Sequence, residues 1–137
     1  MPTKTRVLVD TNVFVYAYDK SSAYHQRAVT FLSNSSFDCY TSTKNVAEFF
    51  AVLSKMNEPF PKVWQFYQSI RANCVLLFPT RLSLSIFETL LQKYQPKGNR
   101  VFDIEVVSIA VANGLPEVAT VNVKDFMGVT EIAVRTL

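Results

Sequence analysis

The chain has 137 residues, 49% of them hydrophobic and 18% charged, and a formal net charge of +3. That is the size and make-up of one globular domain able to bury roughly two-thirds of its extended surface. It excludes a disordered chain and a membrane-spanning one, and the mild positive charge admits a polyanionic partner without naming one.

The first strand is predicted over residues 6–10, a short apolar run, Arg6-Val7-Leu8-Val9, that ends on Asp10 and suits a buried parallel strand. No signal-peptide pattern accompanies it, so the expected location is the cytoplasm. Helices are predicted over 11–18 and 23–32, the second carrying His25 in a structural or capping role. A strand over 38–42 leads, through Thr43 as N-cap, into a helix over 44–55. Pro61 opens the next helix, which carries Val63, Trp64, Phe66, Tyr67 and Ile70. A strand over 74–78 and a helix over 82–94 follow, then the clearest loop, 95–100. A helix over 102–113 closes on Gly114 and Pro116, a strand spans 118–121, and a short fifth strand over 131–135 sits near the edge. Strands alternating with helices predict a single α/β domain over 1–137, a mostly parallel sheet of four to five strands flanked by helices.

Four acids do not fit a plain surface. Asp10 ends a buried strand, where α/β folds gather ligands, although it can also cap the following helix. Glu48 lies in Val46-Ala47-Glu48-Phe49-Phe50-Ala51-Val52-Leu53, which reads as a helix apolar on nearly all sides. There a buried carboxylate needs a partner or a metal, the alternative being a surface pair with Lys44 four residues earlier. Asp103 starts a long apolar helix, where capping and the helix dipole are the alternative explanation; Glu105, two residues on, points elsewhere and reads as a solvated or paired charge. Asp125 follows the fourth strand and on its own reads as a turn residue. Hard oxygen ligands with no His or Cys among them suit Mg²⁺, with Mn²⁺ substituting, and such an ion supports in-line attack on a phosphate. A single histidine, and cysteines at 39 and 74 outside any Cys/His cluster, argue against zinc chemistry and Ser-His-Asp schemes; the cysteines read as buried free thiols. The three glycines are too scattered for a phosphate loop.

Four motifs in order resemble the PIN domain family, and in particular the VapC-type toxins of toxin–antitoxin pairs. They are Val7-Leu8-Val9-Asp10-Thr11-Asn12, Glu48-Phe49, Phe102-Asp103, and Ala119-Thr120-Val121-Asn122-Val123-Lys124-Asp125-Phe126; His25-Gln26-Arg27-Ala28 also resembles the family's second helix. The resemblance implies endonucleolytic cleavage of RNA by a metal-dependent pocket of acids. Asp10, Glu48 and Asp103 match its core acids and metal ligands. The fourth catalytic role falls to Asp125, because Asn122 stands where many members carry Asp. In this reading Asp10 and Asp103 hold Mg²⁺, Glu48 orients or deprotonates water, Thr11 and Thr120 tune the carboxylates, and Asn122 hydrogen-bonds nearby. Lys44, Arg100 and Lys124 are candidates for flanking phosphates, the alternative for each being a plain surface charge.

The resemblance also implies an antitoxin partner and a homodimer, with Tyr16, Tyr24, Trp64 and Tyr67 available to an interface. Three other readings compete, one of them a plain structural α/β domain whose acids are all caps. A non-catalytic PIN-like module would bind RNA or protein through the same fold. A haloacid-dehalogenase-like phosphatase would need a second Asp two residues after the first, and that place holds Asn12.

Overall fold

The computed structural model describes residues 3–137. Its strands are β1 (Thr5–Val9), β2 (Phe37–Ser42), β3 (Val75–Leu77), β4 (Glu117–Thr120) and β5 (Ala133–Thr136). They form one five-stranded sheet in the order β3-β2-β1-β4-β5, every pair parallel. Six helices flank it: α1 (Thr11–Tyr18), α2 (His25–Leu32), α3 (Thr43–Lys55), α4 (Phe60–Asn73), α5 (Arg81–Tyr94) and α6 (Arg100–Ala112).

The apolar run in β1 follows from its place at the centre of the sheet. Val7, Leu8 and Val9 are fully buried, because helices cover both faces. Side chains alternate along a strand, so Val7 and Val9 enter one core, with Phe14, Ala28, Phe49, Leu53 and Ile70 from α1 to α4. Leu8 enters the other, with Leu90, Ile104, Val107 and Val118 from α5, α6 and β4. The chain leaves β1 towards β2 on one side and reaches β4 on the other. The order therefore reverses between β1 and β4, and the carboxyl ends of those two strands open a crevice.

Several local expectations shift. Ser42, not Thr43, caps α3: its extended backbone aims the hydroxyl at Asn45 N, 3.2 Å away, and Thr43 becomes the first helical residue. Helix α6 begins two residues before its predicted start, which brings Arg100 into its first turn. Between β4 and β5 runs a short 3-10 helix, Val123–Phe126, anchored by buried Phe126, where only a turn was expected. β5 starts after Glu131, whose carboxylate is held instead by Lys93 and Tyr94 of α5. Cys39 and Cys74 are free but only partly buried. His25 is structural, its Nδ1 lying 2.9 Å from the carbonyl of Tyr16 and tying α2 to α1. Among the described residues no helix is long and apolar enough to cross a membrane.

Candidate active site

Asp10 is the first residue beyond β1, and it is both a helix cap and a buried acid. Its Oδ1 accepts the Thr11 N–H at 2.9 Å, which starts α1, and only 7% of the residue is exposed. Its Oδ2 accepts the Thr120 hydroxyl at 3.0 Å from the end of β4 and the Asn12 amide at 3.4 Å. The Asn45 amide approaches Oδ1 at 3.5 Å from α3. The donors are therefore neutral groups from three elements, and among the described residues no cation pairs with it. Burial pushes the Asp10 carboxyl up to about 6; the bonds from Thr120 and Thr11 pull the other way, and the charges of Glu48 and Asp125 add to the rise.

The donors are themselves held. Thr120 Oγ1 accepts from Asn12 Nδ2 at 3.0 Å and from the Asn122 N–H at 3.1 Å, while Asn12 Oδ1 takes the Val121 N–H at 3.2 Å. Asn45 is 1% exposed; its amide donates to Thr11 Oγ1 at 3.0 Å and its oxygen accepts from Ser42. Residues 45, 49 and 53 face inward on α3, so Asn45 occupies a place where helical spacing calls for an apolar side chain. That exception was the available signal for a residue the sequence reading passed over, as it did Ser42 and the structural part played by Asn12.

Glu48 corrects the sequence expectation most clearly. It is exposed, not buried, because α3 is amphipathic. Phe49 faces the core, and Phe50 is carried into a cluster of rings with Phe60, Trp64 and Tyr67 of α4, so the apolar neighbours are accounted for without enclosing the carboxylate. The alternative pair with Lys44 does not form either: Lys44 Nζ reaches across to Glu105 of α6 at 2.8 Å, which makes Glu105 the paired charge it was read to be. Glu48 Oε2 instead accepts the Thr11 hydroxyl at 3.2 Å, linking it to the residue beside Asp10.

Asp103 stands in the first turn of α6, partly buried. Burial first, then the charges of Asp125, Asp10 and Glu48, push its carboxyl up to about 7, against the pull of Arg100. Asp125 sits on the 3-10 helix and its charge acts on both aspartates. Asn122 caps that helix, with an exposed side chain, and meets the site only through its backbone N–H. Of the two residues competing for the fourth position, Asp125 is thus the one placed among the acids. Glu48, Asp103 and Asp125 line a cleft of about 730 Å³ between α3 and α6, whose rim carries Lys44 and Arg100 but not Lys124. Arg100 also donates to the Met127 carbonyl at 3.0 Å. Asp10 is buried behind this cleft and forms no part of its wall.

The donor set is entirely oxygen, from carboxylates and hydroxyls, which fits a hard divalent cation. Among the described residues no three acids form a ready-made metal cluster. Mg²⁺ characteristically keeps several waters and uses one or two carboxylates, so an open arrangement of this kind fits it better than a closed cage would.

A model of the PIN domain family matches residues 7–126. No curated protein matches the sequence. Among solved structures, the fold is similar to VapBC2 from Rickettsia felis, bound to a DNA fragment from its promoter, with a TM-score of 0.74, 18% identity, and coverage of 97% of this chain and 99% of that one. It is similar to VapC20 from Mycobacterium tuberculosis, a sarcin-ricin loop cleaving toxin, with a TM-score of 0.71, 16% identity, and coverage of 93% and 98%. It is similar to VapBC-1 from nontypeable Haemophilus influenzae, with a TM-score of 0.68, 18% identity, and coverage of 96% and 98%.

Proposed function

The chain belongs to the PIN domain family, and we propose that it is a metal-dependent endoribonuclease, the VapC-type toxin of a toxin–antitoxin pair. The observation that carries the proposal is the convergence of Asp10, Glu48, Asp103 and Asp125, from four separate stretches of chain, with no cation paired with Asp10 among the described residues and with two carboxyls raised to about 6 and 7. Burial is the main cause of both rises and the neighbouring carboxylates add to it; a structural domain gains nothing from burying and crowding acids in this way, whereas a site built to receive positive charge does. Its likeness in fold to VapC20, which cleaves the sarcin-ricin loop, supports RNA as substrate.

Asp10 and Asp103 would hold Mg²⁺, with Mn²⁺ able to substitute and Glu48 close by. When bound, the ion lowers the pKa of water and offsets charge on a phosphate. The remaining work falls to the chain. Thr120, Thr11 and Asn12 fix both oxygens of Asp10, so its orientation is set before substrate arrives. Glu48 is open to the cleft and aligned by the Thr11 hydroxyl, which suits it to take the proton of an attacking water. Asp125 adds negative charge on the Asp103 side. Lys44 and Arg100, on the rim, contact the phosphates flanking the cut.

An antitoxin that covers this cleft and a homodimer complete the proposal, supported by the paired toxin–antitoxin composition of the VapBC structures with the same fold. The test is cleavage of a mixed RNA pool by purified protein with Mg²⁺, with EDTA, and with Asp10→Asn. Cutting that needs both the metal and Asp10 supports the reading. Cutting that persists in EDTA or in the variant refutes it.

A further inference from the structure

Phe102 is out of place for a ring on an apolar helix. Its neighbours on α6, Ile104, Val106 and Val107, are buried, yet Phe102 is 49% exposed, one residue from Asp103. Of the other exposed rings, Phe60 and Trp64 stack on each other and pack on Phe50, and Tyr24 packs on Tyr16. Phe102 has instead the Lys44 ammonium, 4.1 Å from its centroid. Among the described residues it is the only aromatic side chain in the wall of the acid cleft.

The rest of that wall is arranged around it. On α3, Lys44, Glu48, Ala51 and Lys55 fall at helical spacing on the face turned to the cleft, and Ala47 and Ala51 leave room opposite the ring. Lys97 enters from the loop before α6. Among the described residues neither Lys55 nor Lys97 has a carboxylate partner, whereas Lys44 is paired with Glu105. Two unspent cations, small-residue space and a ring whose surface is half open therefore share one hollow with the acids.

We infer that Phe102 is a stacking platform for an unpaired nucleobase next to the acids, with Lys55 and Lys97 holding phosphates of the same strand. The inference rests on the ribonuclease reading and names the residues that position its substrate. In a duplex both faces of a base are covered by its neighbours and the ring has nothing to hold. In a single strand the face is free, and one base on one ring contributes at least about five- to ten-fold in affinity. The lysines add a sequence-independent, salt-sensitive contribution.

The experiment uses the full chain carrying Asp10→Asn, so that RNA is not cut, and fluorescence anisotropy. The probes are a fluorescein-labelled RNA decamer of unstructured mixed sequence and the same decamer annealed to its complement. The decamer should bind at least about ten-fold more tightly than its duplex. Adding Phe102→Leu, which keeps apolar bulk and removes the ring, should cost about ten-fold for the decamer and leave the duplex unchanged, while Phe102→Trp should keep the affinity. Lys55→Gln with Lys97→Gln should weaken both probes and reduce the salt slope by about two charges. Equal affinity of Phe102→Leu for the decamer, or an equal loss on both probes, overturns the inference. So does a Phe102→Leu protein that binds RNA normally but no longer co-purifies with a protein partner. The two proposals separate in a cleavage assay with Asp10 restored. Phe102-dependent binding of the decamer without cutting leaves the platform and removes the nuclease; cutting with kcat/KM unchanged by Phe102→Leu does the reverse.

Discussion

Replacing Asp10 by Asn should make the metal-free protein more stable at pH 7.5 and less stable, or equal, at pH 4.5. The carboxyl of Asp10 is raised from 3.8 to about 6. Between those values the folded protein keeps a proton that the unfolded chain has released, so stability falls as pH rises through this window and levels off above it. At about 1.4 kcal/mol for each tenfold change, ionised Asp10 costs the fold about 3 kcal/mol at pH 7.5, roughly 10 °C in Tm for a chain of this size. The asparagine removes that cost but turns one acceptor into a donor facing Thr120 or Thr11, a mismatch of about 1–2 kcal/mol. The net expectation is a gain of about 1–2 kcal/mol at pH 7.5 and a loss of similar size at pH 4.5, where wild-type Asp10 is already protonated. Asp103, raised to about 7 in part by Asp10, tilts the wild-type curve the same way and should tilt it less in the variant. Urea unfolding in EDTA at several pH values between 4.5 and 8 measures this directly. Wild-type stability that stays flat or rises between pH 5 and 7, or a variant destabilised equally throughout, would refute the account of Asp10 as a buried charge without a partner.

Adding Mg²⁺ at pH 7.5 should recover about 1.4 kcal/mol at tenfold over its dissociation constant in the wild type and nothing in Asp10→Asn, as thermal melts would register. Thr120→Val removes the hydroxyl bonded to Asp10 and the acceptor for Asn12 and Asn122; it should cost about 1–3 kcal/mol and raise the Asp10 carboxyl further, visible in a carboxyl-carbon NMR titration. Glu48→Gln lies on an exposed face, so urea melts should change by less than about 0.5 kcal/mol while RNA cleavage falls by at least about 100-fold. Leu53→Ala, on the inward face of the same helix and fully buried, should show the opposite pattern, a loss of about 2–5 kcal/mol in urea with cleavage retained by whatever remains folded.

The sequence by itself determined the elements and the list of acids, because both depend on local chemistry. The run Val7-Leu8-Val9 suits a strand covered on both faces, and the alternation of strands and helices then implies a parallel sheet. Asp10, Glu48 and Asp103 stood out as charges beside apolar runs and Asp125 by its place after the fourth strand, and the fold brings all four to one region. Exposure was another matter. Glu48 looked buried because its neighbours are apolar, but which face of α3 meets the core depends on where β1 and α4 lie, and a string of residues does not contain that. The same holds for Lys44, which found Glu105 on another helix rather than Glu48 on its own. Only the tertiary structure set Asn45 and Thr120 against Asp10, 35 and 110 positions away in the chain. Hydrogen bonds of that kind join side chains whose identities are ordinary and whose separation carries no period. Their existence depends on the order of strands in the sheet, which decides that β4 lies beside β1 and lays Thr120 against Asp10.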